Sequence, residues 1–483
     1  MKYLAFYDDT VSKNDDIREV IGQKGFGDVV VKKKRLESYY EDAVRQALPS
    51  LVWTSMPSVY AVQETAALLD AEDDARVLHI FANFFVTDAE KLGLTFQKLA
   101  FVDAQYKVLS DAKIAALFFP NVENYRRFLK KITLQFSTQE AAQTIERAMP
   151  AEGLVDLGET DNFISCITGS FDSRYFNSVR GDAITLVKTS RDKRKIKAEY
   201  TYYHLLPDDM KMYFVMPFHY EEKDETASYT MEHLHMTDLA IKWVHGSIDL
   251  HEFQQLLDKY FIFFSKRHPK EISRREYQKM ADKLYVEKVH KRIALLKDMP
   301  AFQQIAALLA ASEHLTIDDV VKKYFRLKDR IEAKHSYPSV AVIGHGDPCF
   351  ANTLYHKSTQ MLKFIDPKGA LTEAELWMNP YYDIAKLSHS VCGRYDFFNN
   401  GTFSIRIDEN FRSELVLDFD NAAYIRAFRQ KLEACGFDYL TVRIYEASLF
   451  LSMLPLHIDN PHKVFGFILN AIQILKEIEN YAA

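Results

Sequence analysis

Short apolar runs alternate with amphipathic stretches through the first 150 residues. The runs have the apolar, β-rich composition of buried strands and fall at residues 3–7, 29–31, 51–53, 77–81 and 115–119. Apolar residues at helical spacing over 58–69 and 121–132 predict helices between them. Strands that alternate with helices are typical of an α/β layer, so residues 1–150 are predicted to form an α/β domain with a largely parallel sheet.

The pattern changes after residue 150. Three β-rich runs at 163–168, 174–179 and 183–188 precede a charged helical stretch over 192–206, and two more predicted strands follow at 212–219 and 227–232. From residue 249 onward most of the chain has apolar residues at helical spacing. The sequence thus predicts a second, α+β domain with a small β-rich lobe at 151–235 and a large helical lobe at 236–483.

Composition and charge exclude several classes of protein. Hydrophobic residues make up 48% and charged residues 27% of the 483 positions, as in soluble globular enzymes. A net charge of −6 gives no electrostatic reason to expect nucleic acid or an anionic membrane as the main partner. The four cysteines are far apart and fit no zinc spacing, which favours a reducing environment. No apolar run approaches the roughly 20 residues of a membrane helix, so we expect a soluble, cytoplasmic protein.

The most informative stretch is Val342-Ile-Gly-His-Gly-Asp-Pro-Cys-Phe-Ala-Asn352, followed by Phe364-Ile-Asp-Pro-Lys-Gly369. An apolar run leads into Asp347, Asn352 follows five residues later, and a second apolar run leads into Asp366. Phosphoryl transfer needs one carboxylate to orient the attacking hydroxyl, and amide and carboxylate oxygens to hold Mg²⁺ against the nucleotide phosphates. An isolated Gly-Asp-Pro would be read as a turn, but the later Asn and Asp favour a catalytic loop.

This order of residues resembles the catalytic and metal-binding loops of the aminoglycoside phosphotransferase and choline kinase family, which has a protein-kinase-like fold. The stretch Pro380-Tyr-Tyr-Asp-Ile-Ala-Lys-Leu-Ser-His-Ser390 extends the resemblance, and Ile365-Asp-Pro-Lys-Gly369 is similar to the form seen in bacterial small-molecule kinases. The resemblance implies ATP and Mg²⁺ as cofactors and a small-molecule hydroxyl as acceptor. It implies that Asp347 orients the acceptor, that Asn352 and Asp366 hold the metal, and that Asp383 braces the loop. His345 belongs to the catalytic loop, which its hydrogen bonds would organise.

The small lobe supplies the expected nucleotide-binding residues. Lys188 ends the third predicted strand and Glu199 lies in the next helix, where the resemblance implies a phosphate-binding Lys positioned by a Glu. The alternative is a surface Lys and a helix-face Glu. Gly169 and Ser170 would lie over the phosphates, although a plain hairpin turn is the other interpretation. The stretch from Glu232 to Leu234 would form the hinge that binds adenine through its main chain.

Other features leave the acceptor and the first domain open. Candidates for the acceptor pocket follow the catalytic stretch: Trp377, Tyr381, Tyr382, Arg394, Tyr395 and Asp396. Their rings would form either a cage for an ammonium group or part of the core. The glycines at 22, 25 and 27 lack a GK[ST] sequence and predict a turn.

Bacterial proteins of capsular polysaccharide synthesis often join a sugar-nucleotide transferase domain to a kinase-like domain. Residues 1–150 are therefore interpreted either as a degenerate nucleotidyltransferase or as a structural or regulatory domain. Two alternatives to an active kinase remain at this stage. One is an inactive kinase-like module that binds a nucleotide or a partner, and the other is a bifunctional nucleotidyltransferase-kinase.

Overall fold

The structure is a computed structural model, and it describes residues 2–69, 75–99, 101–132, 137–168, 177–181, 184–334, 339–417 and 419–482. The chain divides into two compact units, Met1–Asp172 and Ser173–Ala483. Among the described residues no single helix is long and apolar enough to span a membrane. One pair of helices, Arg274–Lys297 and Phe302–Glu313, is long and apolar enough only when the two are taken together, and the pair is bent by 103°.

The first unit is built on a six-stranded sheet. Its strands, in spatial order, are Leu51–Met56, Tyr3–Asp8, Arg76–Phe81, Lys113–Phe119, Tyr106–Ser110 and Ala148–Pro150. The first three strands pair in parallel, the pairings of Lys113–Phe119 with both of its neighbours are antiparallel, and the last pairing is parallel. The sheet is therefore mixed rather than largely parallel, since the unpredicted strand Tyr106–Ser110 forms a hairpin with the strand that follows it.

Several helices of the first unit begin where a polar side chain caps their free amides. Ser58 caps Val59–Leu68 and Asn121 caps Val122–Leu129, each through a side-chain oxygen that accepts a hydrogen bond from the amide three residues later. The remaining helices are Asp15–Ile21, Leu36–Ala47, Ala89–Leu99, Thr138–Ala142 and Thr160–Ile167. Short strands at Val30–Val31, Lys34–Arg35, Phe84–Val86 and Leu154–Asp156 complete the unit.

One predicted strand of the small lobe is wrong. Residues 160–167 form a helix in the first unit, in which Phe163 and Cys166 are buried at a spacing of three residues. That spacing places both side chains on one helix face, whereas in a strand they would point to opposite faces. The predicted domain boundary at 150/151 thus precedes the boundary between the compact units by 22 residues, from the difference between 172 and 150.

The second unit begins with a four-stranded antiparallel sheet in the spatial order Asn177–Gly181, Thr185–Ser190, Ala227–Glu232 and Pro217–Glu222. The helix Lys193–Leu205 starts at Asp192, whose side chain accepts from the Lys195 amide. Ile196 of that helix packs with Ala227 and Tyr229 of the sheet. The strand predicted at 212–219 begins later than expected, because a short helix at Asp208–Lys211 precedes it.

The rest of the unit is mainly helical and contains one large apolar core. Its longer helices are Leu250–Lys266, Arg274–Asp282, Lys288–Lys297, Phe302–Glu313, Ile317–Glu332, Tyr382–Val391, Ala422–Ala434, Tyr439–Met453 and Pro461–Ala482. Shorter helices are Leu239–Val244 and Tyr395–Asn399, and Lys283–Glu287 is a π-helical segment. These positions confirm the predicted helical lobe, since the apolar faces of these helices lie in the shared core.

Short strands interrupt the helices at the predicted place. Val340–Ile343 pairs with Pro269–Glu271 and Trp377–Met378, while Thr353–His356 and Met361–Phe364 form a hairpin next to Thr237–Asp238. A further hairpin joins Ser404–Ile407 and Ser413–Val416. The loop 344–352 therefore connects two small sheets and is held at both ends by strand pairing.

Candidate active site

Lys188 lies on the central strand Thr185–Ser190 and forms a buried ion pair with Glu199 from the next helix. The distance from Lys188 Nζ to Glu199 Oε2 is 2.7 Å, and each residue is 3% exposed. The Tyr229 hydroxyl donates a second hydrogen bond to the same carboxylate oxygen at 3.1 Å. The alternative of a surface Lys and a helix-face Glu is therefore wrong for this pair.

Asp366 joins this pair from a position 178 residues later in the chain. Lys188 Nζ lies 2.7 Å from Asp366 Oδ1, although the Asp366 side chain is 40% exposed. Burial alone would lower the pKa of Lys188, but the carboxylates of Asp366 and Glu199 outweigh it and hold that pKa above its ordinary value. A charged lysine thus connects the small sheet with the segment that follows the hairpin.

Asp366 has a left-handed backbone conformation, with φ at +55°. A non-glycine residue in this region carries local strain, and such residues are concentrated at functional sites. Gly369 follows at φ +84°, where a Cβ atom would lie 2.8 Å from the Ala198 carbonyl carbon. The Ala370 amide donates to the Ala198 carbonyl at 3.0 Å. The segment after the hairpin consequently packs directly on the helix that carries Glu199.

His345 organises the loop that carries Asp347. Its ring is fully buried, Nδ1 accepts from the Asp347 amide at 3.0 Å, and Nε2 donates to the Ile365 carbonyl at 2.9 Å. Both nitrogens are thus engaged by the main chain, which fixes the tautomer. Burial lowers the pKa of His345 despite the nearby carboxylates. A ring held in this way connects the two loops and has no nitrogen left to act as a base.

Asp383 holds the same loop from the helix Tyr382–Val391. Its carboxylate is fully buried and accepts from the amides of His345 and Gly346 at 3.0 and 2.7 Å. Arg267 donates to it at 3.3 Å and was not found from the sequence, since an Arg after a helix end has no signature of its own. These contacts place Asp383 where the predicted bracing role requires it.

Asp347 is only partly enclosed, with 38% of its side chain exposed. Its Oδ1 atom lies 3.0 Å from Nζ of Lys386, which is on the same helix as Asp383 and three residues later. Burial alone would raise the pKa of Asp347, but the Lys386 ammonium outweighs it and the pKa lies below its ordinary value. Lys386 was missed, although helical spacing from Asp383 could have indicated that it faces the loop.

Asn352 and Asp366 lie at the open end of one hairpin. The Ile365 amide donates to the Asn352 carbonyl at 3.0 Å, so the two chain segments are adjacent immediately before Asp366. The side-chain amide nitrogen of Asn352 donates to the Asp347 carbonyl at 2.9 Å. The Asn352 Oδ1 atom has no hydrogen-bond partner among the described residues. An amide oxygen and a partly exposed carboxylate thus belong to two adjacent chain segments at this end of the hairpin.

The structure describes the predicted hinge but not the predicted phosphate loop. Residues 233–236 join the small sheet to the strand Thr237–Asp238, with the His233 amide donating to the Ile184 carbonyl at 2.9 Å. Glu232 is exposed and Leu234 half-buried at this junction. Binding of adenine by main-chain groups of this segment stays a prediction. Gly169 and Ser170 lie outside the described residues.

Most acceptor candidates are packed against other groups. Tyr381 and Asp396 are buried, and Tyr381 meets Phe437 edge to face with the ring centroids 5.4 Å apart. Lys270 lies over the Trp377 ring and Lys288 over the Tyr382 ring. Rings whose faces already carry a lysine are poor candidates for an ammonium cage.

Comparisons with known proteins find similarity among solved structures alone. No model of a known protein family matches the sequence. No curated protein matches it either. A thermostable mutant of aminoglycoside phosphotransferase APH(4)-Ia in its apo form is 11% identical, with a TM-score of 0.34 over 62% of this chain and 95% of that chain.

Two further structures of that protein are similar to the same extent. A ternary complex of the thermostable mutant with AMP-PNP and hygromycin B is 10% identical, with a TM-score of 0.37 over 63% of this chain and 91% of that chain. A structure of aminoglycoside phosphotransferase APH(4)-Ia is 10% identical, with a TM-score of 0.35 over 65% of this chain and 97% of that chain. Similarity at this level is too low to transfer a function to this chain.

Proposed function

We propose that the second unit is an ATP- and Mg²⁺-dependent phosphotransferase that transfers the γ-phosphate to a hydroxyl of a small molecule. The observation that carries the proposal is the convergence of Glu199, Lys188 and Asp366 through two contacts of 2.7 Å. A buried ion pair contributes little to stability, because the free-energy cost of removing two charges from water offsets most of the attraction between them. An ammonium held by two carboxylates, one of them half-exposed, is instead suited to binding nucleotide phosphates.

The donor set near Asn352 fits magnesium better than a transition metal. Its ligands are an amide oxygen and a carboxylate, and no group of three or more His, Cys, Asp or Glu side chains in the described ranges could hold a metal. Mg²⁺ keeps several waters and is bound by one or two carboxylates together with substrate phosphates. Asp366 and Asn352 would hold the ion, which when bound would neutralise charge on the transferred group.

The chain's own residues would then perform distinct steps. Lys188 binds the nucleotide phosphates and Glu199 keeps its ammonium in place. Asp347 accepts a hydrogen bond from the acceptor hydroxyl and takes its proton as the bond to phosphorus forms. Asp383 and His345 hold the loop so that the Asp347 carboxylate stays aligned.

A nucleotide-binding module without catalysis is the main alternative. The complete set of a lysine, its glutamate partner, the loop aspartate and two oxygen ligands favours an enzyme, because binding alone would not require Asp347. A nucleotidyltransferase in the first unit has less support. Its Asp8 and Asp9 carboxylates are engaged by His79, Thr10, Phe26 and Gly27.

The test measures ADP formation by the full chain with Mg²⁺, ATP and a panel of hydroxyl acceptors. Lys188→Met should lower turnover by about 10²–10³-fold, the loss typical for one electrostatic donor. Lys197→Met is the matched control, since Lys197 is exposed on the helix that carries Glu199. Nucleotide binding without turnover for every acceptor would contradict the enzyme and favour the binding module.

A further inference from the structure

One face of the helix Tyr382–Val391 borders the Asp347 carboxylate. Tyr382, Lys386 and His389 are spaced by four and three residues and therefore lie on the same side of the helix. Lys386 Nζ contacts Asp347 Oδ1 at 3.0 Å. Any acceptor whose hydroxyl reaches Asp347 therefore comes close to this helix face.

A second ammonium group lies on the same face. Lys288, from the neighbouring helix Lys288–Lys297, has its Nζ atom 3.3 Å from the Tyr382 hydroxyl and 5.7 Å from the centre of that ring. The residue is half-buried, and among the described residues it forms no ion pair with a carboxylate. A partly desolvated ammonium without a countercharge attracts an anion.

His389 completes the cluster. Its ring is 1% exposed and stacks on the Tyr395 ring with centroids 4.3 Å apart, yet neither ring nitrogen has a hydrogen-bond partner among the described residues. Burial, together with the nearby charges of Lys386, His457 and Lys288, holds the pKa of His389 well below its ordinary value. The imidazole is thus neutral, and its N–H group has no acceptor in the described part of the chain.

The carboxyl groups near this cluster do not cancel its positive charge. Asp347 is paired with Lys386, and Glu446 is paired with Arg443. Burial raises the pKa of Asp396 to about 7. Among the described residues Lys288 therefore has no carboxylate partner, although its ammonium donates to the Tyr382 hydroxyl. Its charge acts on the His389 imidazole, whose N–H lacks an acceptor in the same part of the chain.

We propose that the acceptor carries an anionic group, a phosphate or a carboxylate, which binds between Lys288, Lys386 and His389 while its hydroxyl reaches Asp347. The inference rests on the proposed phosphotransferase function for the hydroxyl, but the anion site itself can be tested without turnover. Lys288 supplies the positive charge, Lys386 supplies an ammonium that it shares with Asp347, and the His389 ring supplies a neutral donor.

The first experiment titrates the full chain, labelled with ¹⁵N-histidine, with inorganic phosphate or acetate at constant ionic strength. The His389 resonance, assigned through His389→Gln, should shift and saturate with at least one anion. Lys288→Met should weaken this binding about tenfold, as expected for one charge-assisted hydrogen bond. Lys288→Arg should retain it, and Lys291→Met, which removes an exposed lysine one turn further along the helix, should leave it unchanged.

The second experiment compares matched acceptors with Mg²⁺ and ATP: glucose with glucose 6-phosphate, and ethanolamine with serine. The member of each pair that carries the phosphate or carboxylate group should be phosphorylated with the lower KM, and Lys288→Met should raise that KM more than it changes the KM for ATP. Saturable anion binding without any phosphorylation would overturn the proposed function alone. Phosphorylation confined to acceptors without a phosphate or carboxylate group, or a His389 resonance that shifts with neither anion, would overturn the anion site.

Discussion

Carboxylates that follow buried strands have opposite surroundings in the two compact units. In the first unit Asp8 is fully buried, and its oxygens bind His79 Nε2 at 3.0 Å and the Thr10 amide and hydroxyl at 2.9 and 2.6 Å. In the second unit Asp347 and Asp366 are 38% and 40% exposed, and a lysine ammonium is the ion-pair partner of each. Asp8 is thus satisfied internally, whereas Asp347 and Asp366 remain accessible.

This difference separates structural acids from candidate catalytic ones. A carboxylate that accepts several internal hydrogen bonds has no capacity left for a substrate, and its loss exposes unsatisfied partners. A carboxylate that faces solvent beside an ammonium can exchange that ammonium for a phosphate or a metal ion. We therefore expect substitutions of Asp347 and Asp366 to change turnover and substitutions of Asp8 and its partners to change stability.

The largest effect is expected from Asp347→Asn. The amide keeps the shape of the side chain but cannot accept the hydroxyl proton, so kcat should fall by about 10²–10⁴-fold. Nucleotide affinity should change little, because Lys188 and Glu199 are untouched. The measurement is kcat together with the dissociation constant of ATP.

Asp8→Asn is the matched control for that substitution. It makes the same chemical change at a strand end of the other unit, and the kcat of the folded fraction should stay within about twofold of the wild type, since Asp8 is buried away from solvent. Wild-type turnover in Asp347→Asn, or an equal loss in both variants, would remove the distinction between the two kinds of acid.

The local arrangement of the candidate site can be predicted from the sequence, while the roles of its residues stay predictions. Asp347, Asn352 and Asp366 lie within 20 residues, and strand pairing around them is local, so their spacing alone indicates a common loop region. Lys188 was found as well, because it ends an apolar strand and precedes a charged helix. For these residues the chemistry depends on short segments whose conformation the local sequence largely determines.

Long-range partners could not be predicted in the same way. Arg267 reaches Asp383 across 116 residues, and Lys288 reaches Tyr382 across 94, and in each case only tertiary packing brings them together. The helix at 160–167 was mistaken for a strand because its β-branched and aromatic residues favour both structures at that length. Long-range partners and ambiguous short segments can be identified only when the packing of the core is known.

A substitution in the first unit, His79→Ala, should mainly reduce stability. The imidazole links Asp8 to the Tyr125 hydroxyl, with Nδ1 2.9 Å from that oxygen, and all three side chains are buried. Burial alone would raise the pKa of Asp8, but the hydrogen bond and charge of His79, together with the hydroxyls of Thr10 and Thr138, outweigh it and keep that pKa below its ordinary value. Removing the ring leaves a buried carboxylate without its main partner, at a cost of about 3–5 kcal/mol.

Amide hydrogen exchange of the full chain measures this loss strand by strand. Protection should fall in Tyr3–Asp8 and remain unchanged in Val340–Ile343 of the second unit. His79→Gln, which preserves one donor, should lose less protection than His79→Ala. Equal loss of protection in both units would show that the acids of the first unit do not act locally.

The smallest effect concerns Asp9, whose carboxylate accepts from the Phe26 and Gly27 amides at 2.7 and 2.9 Å. Burial outweighs these bonds and raises the pKa of Asp9 to about 7. The folded chain therefore keeps a proton that the unfolded chain loses near pH 4, so this contribution to stability is complete below about pH 4 and is lost as the pH rises to about 7.

Asp9→Asn removes the titration and should flatten the fall in the first unit's stability between pH 5 and 8. The measurement is the urea midpoint for exchange in Tyr3–Asp8 at each pH, with the exposed Asp111→Asn as control. An unchanged slope in Asp9→Asn would mean that Asp9 does not titrate between pH 5 and 8 in the folded chain.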